Sequence, residues 1–290
     1  MTMFDAAVLM GSKSDMEKAQ EIVERLAEFG WKNVDIRVLS AHRDHTVLDT
    51  YLKEDLAEVY IAVAGLAAAL PGHIASLLKH RVVIGVPLSA KNSPDGYDSL
   101  LAITQMPPGV AVGCVAIDGT SQAADLAAEI LGYRSVELED VPIVVFGEDV
   151  SLYDPKGLLP LLKEHGVKYE VKGFEELDKE ALTIPAMRKF ILPKRPLCII
   201  ADDFDSERPA ELTNLLNDTV DRGIVIRVPL DEDPGLDSVP GLNPHGTIKT
   251  VGIGDYLTVG FNSYKNAALL ALKILALNPA YQELGEKLRG

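Results

Sequence analysis

Cysteine is nearly absent from this chain. Its 290 residues hold two, Cys114 and Cys198, far apart and each inside an apolar, strand-like run. Such thiols read as buried apolar side chains, and neither a disulfide framework nor a cysteine metal cluster can be built from them. Positive charge is also short, at 28 basic against 43 acidic residues for a formal net charge of −15. With no basic stripe to neutralise phosphates, a nucleic-acid partner is argued against. No apolar run reaches the roughly 18 residues that a spanning helix needs. The opening MTMFDAAVLMG lacks a basic n-region and a cleavage site. The expectation is a cytoplasmic protein with no membrane partner. Aromatic residues are scarce at 6%, while hydrophobic residues make up 47%. A core built from Ala, Leu, Val and Ile suits helices packed closely on a buried parallel sheet.

Strand and helix signals alternate along the chain. AAVLMG, VDIRVLSAH, VYIAVAG, RVVIGVPL and AVGCVAI read as strands. Between and after them SDMEKAQEIVERLAEFG, HTVLDTYLKEDL, LPGHIASLLKH, DSLLAITQ and SQAADLAAEILG read as helices. The pattern then begins again with VPIVVFG, DPKGLLPLLKEHG, VKYEVKGF, PLCIIADD, RPAELTNLLNDTVDRG, IVIRVPL, GTIKTVGIG and SYKNAALLALKILAL. Short apolar strands alternating with helices imply a parallel sheet covered on both faces. PGHIASLLKHRVVIGVPL also lies in register over PAELTNLLNDTVDRGIVIRVPL. The chain therefore reads as a tandem duplication, with one domain over 1–134, a second over 141–290 and the junction in GYRSVELEDVP.

The two copies differ in chemistry. The first carries GSKSD where its first strand meets its first helix. Gly11 permits a tight turn there. Ser12 and Ser14 offer hydroxyls and N–H groups at a helix N-terminus, a ready anion site. Asp15 fits a helix cap as well as a ribose diol, whose two hydroxyls a carboxylate can accept. The first copy also carries SAHR at the end of its second strand, which brings Ser40, His42 and Arg43 to the same sheet edge. Arg43 can clamp a phosphate, and His42 can exchange a proton near neutral pH, unless it is merely satisfied by backbone groups. An anion site, a diol binder and a histidine on one edge read as a phosphoribosyl ligand with proton transfer. His45, His73 and His80 read as surface or helix-terminal residues. At the places of GSKSD and SAHR the second copy has FGEDVSLYD and VKGFEELD, so its apolar pattern is kept and the polar cluster is lost.

GSKSD, SAHR, AGLAAALPG, VIGVPL and DSLLAITQMPPGVAVGCVAI, in that order over residues 5–132, resemble the aminoimidazole ribonucleotide carboxylase family of purine biosynthesis. The resemblance implies a flavodoxin-like three-layer sandwich, present here as two tandem copies, that needs neither metal nor organic cofactor. It implies a carboxyl transfer from the exocyclic nitrogen of N-carboxyaminoimidazole ribonucleotide to its ring carbon. The alternatives are direct carboxylation of aminoimidazole ribonucleotide with carbon dioxide, and a pseudoenzyme that only binds the ribonucleotide. Carried over by motif, Gly11, Ser12, Asp15 and Arg43 bind substrate, Ser14 and Ser40 lie near its phosphate, and His42 transfers the proton. Leu66 and Ala69 stand where the mutase branch has glycine and histidine. Family members assemble as octamers, so two domains per chain imply a homotetramer with pseudo-octameric symmetry and four active pockets.

Overall fold

Ala6 to Met10 are all fully buried, although side chains of a strand alternate between faces. This happens only in a sheet covered on both sides. The computed structural model describes residues 3–138, 141–147, 157–173, 197–203, 223–230, 256–260 and 263–289. In the first half, strands β1 (Phe4–Met10), β2 (Val34–Val38), β3 (Ala57–Gly65), β4 (Val82–Leu88) and β5 (Gly113–Cys114) alternate with five helices. These are α1 (Met16–Glu28), α2 (His45–Lys53), α3 (Ala69–Leu77), α4 (Tyr97–Thr104) and α5 (Thr120–Gly132). All four ladders within this half are parallel, and the strand order is β2-β1-β3-β4-β5. That is the flavodoxin-like doubly wound order.

The layers follow from alternation along β1. Ala6, Val8 and Met10 face α1 and α5, whose Ile22, Leu26, Leu126 and Ile130 complete one core. Ala7 and Leu9 face the other way, toward Leu48 and Leu52 of α2, Ile74 of α3 and Ile103 of α4. Helix α1 buries Ala19, Ile22 and Leu26, one stripe at helical spacing. It stops before Gly30, which takes the left-handed φ of +92° that ends helices.

Beyond the junction come β6 (Ile143–Phe146), α6 (Leu158–Glu164), β7 (Tyr169–Lys172), β8 (Leu197–Asp203), β9 (Ile224–Leu230), β10 (Leu257–Thr258), α7 (Tyr264–Leu275) and α8 (Gln282–Arg289). These strands extend the same ten-stranded sheet in the order β10-β9-β8-β6-β7. Read from its far edge, that is the order of the first half. The two runs join where Cys114 of β5 pairs antiparallel with Thr258 of β10, so their strands point in opposite directions. Register repeats in detail. Gly85 pairs with Cys114 and Arg227 with Thr258, and both Gly85 and Arg227 lie in V-P-L strands. A Cβ on Gly85 would sit 2.5 Å from the Ile103 side chain of α4. At the matching place Arg227 is buried beneath Tyr256, 6.0 Å from the ring centroid.

Two strands of the first half are shorter than the sequence suggests. VDIRVLSAH is extended only to Val38, and Leu39 makes one further bond to the Met10 carbonyl at 2.9 Å. Side chains then capture the backbone. Ser40 N–H donates to Asp44 Oδ2 at 3.2 Å, and Arg43 N–H to Ser40 Oγ at 3.3 Å. AVGCVAI keeps only Gly113–Cys114 as strand. Val115 N–H still reaches the Gly85 carbonyl at 3.2 Å, after which the chain turns through Asp118 at φ +57°. RPAELTNLLNDTVDRG and GTIKTVGIG lie outside the described residues, apart from the glycine that ends the first. Both cysteines are buried and free, and burial pushes the Cys198 thiol up to about 12. No helix among the described residues is long and apolar enough to cross a membrane.

Candidate functional site

The carboxyl ends of β1 to β4 open onto one cavity of about 720 Å³. Ligands of open parallel sheets bind at such an edge. All seven residues proposed from the sequence line it: Gly11, Ser12, Ser14, Asp15, Ser40, His42 and Arg43. The lining residues arrive on four turns. Ser12 to Asp15 follow β1, Ser40 to Arg43 follow β2, Leu66 to Leu70 follow β3, which ends at Gly65, and Ser89 to Lys91 follow β4.

At the β1 corner a single 3₁₀ turn, Lys13–Asp15, runs into α1. Ser12 Oγ accepts the Ser14 N–H at 3.3 Å. Ser14 Oγ lies 2.8 Å from both Ser12 Oγ and Asp15 Oδ1. One hydroxyl has one proton, so Ser14 donates to the carboxylate and Ser12 donates to Ser14. Asp15 sits at the N-cap of α1 but makes no cap hydrogen bond. The helix-cap reading of this residue is therefore not realised, and its Oδ2 makes no hydrogen bond among the described residues.

Gly11 differs from expectation. Its φ lies outside the left-handed region, and a Cβ there would meet nothing within 4 Å. The turn does not require glycine. A side chain would instead project into space where a ligand can approach the backbone. The Gly11 carbonyl accepts Arg43 Nη2 at 2.7 Å, which ties the β2 turn to the β1 turn. Ser40 is buried, and its hydroxyl oxygen accepts Arg43 N–H, so it orders the turn that presents His42 and Arg43.

His42 is exposed to the cavity, and its ring makes no hydrogen bond among the described residues. The histidines read as surface residues lie elsewhere: His73 pairs with Asp49 at 2.6 Å and His80 with Asp55 at 2.8 Å. Asp15 is the one acid among the described lining residues, against two cations, Arg43 and Lys91. No cluster of metal-ligating side chains occurs among the described residues.

The β3 turn supplies an apolar wall in which Ala68 and Leu70 are buried. Leu66 within it has φ +55° and is 43% exposed. This is the left-handed region, which costs a branched L-residue about 1–2 kcal/mol. Ser89 and Lys91 were not singled out from the sequence. The available signal was position alone, since they directly follow the strand RVVIGVPL.

The description "AIR carboxylase" belongs to the family model that matches residues 5–141. An N5-carboxyaminoimidazole ribonucleotide mutase of Saccharolobus solfataricus is 50% identical over 147 residues, which is 50% of this chain and 90% of the relative. The chain belongs to the AIR carboxylase family. Another N5-carboxyaminoimidazole ribonucleotide mutase, from Methanocaldococcus jannaschii, is 47% identical over 127 residues, 44% of this chain and 78% of that relative. Among solved structures, Treponema denticola PurE is 32% identical over 44% of this chain and 79% of its own, with a TM-score of 0.38. The fold assignment rests on strand order rather than on that superposition. Within this AIR carboxylase chain, the cavity lies wholly inside the matched residues.

Proposed function

We propose that the first half converts N-carboxyaminoimidazole ribonucleotide into 4-carboxy-5-aminoimidazole ribonucleotide, a step of purine biosynthesis. One observation carries this reading. An anion corner, an uncommitted carboxylate oxygen and an unbonded histidine converge on one cavity. Ser12, Ser14 and the N-terminus of α1 receive the phosphate, with Arg43 supplying charge. Asp15 accepts the ribose hydroxyls. The aminoimidazole then lies between His42 and the apolar β3 turn.

The chemistry balances within that space. The bond from the exocyclic nitrogen to its carboxylate breaks, its electron pair stays on nitrogen, and nitrogen takes up a proton from water, a loss made good by the ring proton released later. Carbon dioxide is released against the β3 wall. The electron-rich ring carbon attacks it and forms the new carbon–carbon bond. His42 removes the ring proton, and aromaticity returns. Holding carbon dioxide against the ring is a proximity effect.

Ala69 in place of histidine also fits the branch that carboxylates aminoimidazole ribonucleotide directly. Purified protein is therefore assayed with each of the two substrates, with and without bicarbonate. Turnover of the N-carboxy substrate that is independent of bicarbonate supports the mutase reading. Bicarbonate-dependent turnover of aminoimidazole ribonucleotide assigns the direct reaction. Binding without any turnover assigns a pseudoenzyme.

The second half serves in this reading as a degenerate copy that scaffolds the first, over 141–290, within a cytoplasmic homotetramer of pseudo-octameric symmetry. The repeated strand order and the Gly85–Arg227 correspondence support it. Light scattering on the purified protein tests the assembly, and a monomer at micromolar concentration would overturn it.

A further inference from the structure

Lys91 is a cation with no carboxylate partner among the described residues. It is exposed, lines the cavity, and makes no ion pair or hydrogen bond among the described residues. Its turn is nevertheless fixed. Ala90 and Ser93 exchange both backbone hydrogen bonds at 2.9 Å, which closes a two-residue hairpin with Lys91 and Asn92 at its tip. On the near side Ser89 Oγ donates to Asp118 Oδ2 at 2.7 Å. Asp118 in turn donates its N–H to the Pro87 carbonyl at 2.8 Å. On the far side Ser93 Oγ donates to Asp98 Oδ1 at 2.6 Å, and the same oxygen accepts Ser99 N–H at 2.9 Å.

The neighbouring acids are thus committed to serine hydroxyls and backbone N–H groups. Asp95, the third acid nearby, lies 3.2 Å from the Ser93 hydroxyl through its Oδ1, so in a chain of net charge −15 Lys91 has three aspartates close in sequence or space and pairs with none of them. Here the carboxylates hold the loop in shape, and Lys91, a residue of the cavity lining, is left without an ion pair among the described residues. Arg43, the other cation, follows β2. Strands β1 and β3 lie between β2 and β4, so the two cationic turns stand roughly 14 Å apart at the backbone, three inter-strand spacings. The cavity is therefore positive at both ends, with His42 and the apolar β3 wall in reach of the space between.

We propose that Lys91 binds the carboxylate that the reaction moves, as a positioning and specificity residue at the end of the cavity opposite the phosphate. The proposal rests on the ribonucleotide reading given above. A substrate with a phosphate at one end and a carboxylate at the other matches two separated cations. Aminoimidazole ribonucleotide lacks the carboxylate and so does not use the second one. Lys91 would hold the carboxylated ring in place before bond breaking and after bond making.

Calorimetry with two ligands tests this: 4-carboxy-5-aminoimidazole ribonucleotide, and aminoimidazole ribonucleotide, which has the same phosphate and ring without the carboxylate. Lys91 is exposed and unbonded, so Lys91→Gln leaves the fold intact. The expected result is about tenfold or greater weakening for the carboxylated ligand, from loss of a charge-assisted contact, and less than twofold change for the other. Lys91→Arg restores most of the loss. Equal weakening of both ligands would move Lys91 to the phosphate and overturn the proposal, as would no change in either. Failure of the unaltered protein to bind either ligand would instead overturn the ribonucleotide reading.

Discussion

Arg43 Nη2 donates to the Gly11 carbonyl at 2.7 Å, so one guanidinium both braces the β1 turn and charges the corner where a phosphate would sit. Arg43→Ala is expected to weaken ribonucleotide binding about 10- to 100-fold, the range for losing a hydrogen bond to a charged group. Binding of the ribonucleoside, which lacks the phosphate, should fall much less. Equal losses for the two ligands would reduce Arg43 to a brace.

Leu66 pays for its place on the rim with a left-handed backbone, φ +55°. Its side chain is 43% exposed, so truncation gives up part of a leucine's burial while relieving about 1–2 kcal/mol of strain. Leu66→Gly should therefore stabilise the fold by no more than about 1 kcal/mol, at most roughly 2 °C in Tm for a chain of this size. A lower Tm for the variant would show that the side chain contributes packing that outweighs the strain.

Asn266 of α7 joins the halves. Its Oδ1 accepts Gly109 N–H at 2.8 Å, and its Nδ2 donates to the Pro107 carbonyl at 3.2 Å. The residue is buried, so Asn266→Ala leaves a backbone donor and an acceptor without partners. A loss of about 2–3 kcal/mol in urea unfolding is expected. A change below about 0.5 kcal/mol would mean that water replaces the side chain freely.

Lys273 gives a pH signature. It is 1% exposed, its ammonium donates to the Ala111 carbonyl at 3.5 Å, and burial lowers its pKa to about 8. In the unfolded chain a lysine titrates near 10.4. Between those values the unfolded state binds the extra proton, so this group's contribution to stability rises with pH across the window. Lys273→Met should therefore stabilise the protein at pH 7 by about 2 kcal/mol, with the advantage shrinking toward pH 10. Urea midpoints of both proteins at the two pH values measure this. An advantage of equal size at both would show that titration of Lys273 is not its source.

Most of the site was legible in the sequence because the sheet edge dictates it. Residues directly after β1 and β2 must meet in a doubly wound order, and GSKSD and SAHR follow those strands. The roles were less legible. That Asp15 does not cap α1, that Gly11 needs no special φ, and that the Ser40 hydroxyl serves its own turn depend on hydrogen bonds that compete within a few residues of one another. Lys91 was missed for a different reason. A lone lysine after a strand looks like any solvated charge, and only the pairing of its neighbours Ser89, Asp118, Ser93 and Asp98 with one another leaves it unmatched. In the fold, alternation along β1 and the helix periods fixed the layers. The pairing of β5 with β10 was hidden, since the antiparallel partner lies about 140 residues away in the chain.

In the proposed reaction His42 takes the ring proton, in a cavity that binds the ribonucleotide through other residues. The decisive measurement is turnover of N-carboxyaminoimidazole ribonucleotide by His42→Asn beside ligand binding to the same variant. A fall in kcat of about a hundredfold or more is expected, with binding of 4-carboxy-5-aminoimidazole ribonucleotide kept within a few-fold. Near-normal turnover in that variant would contradict it.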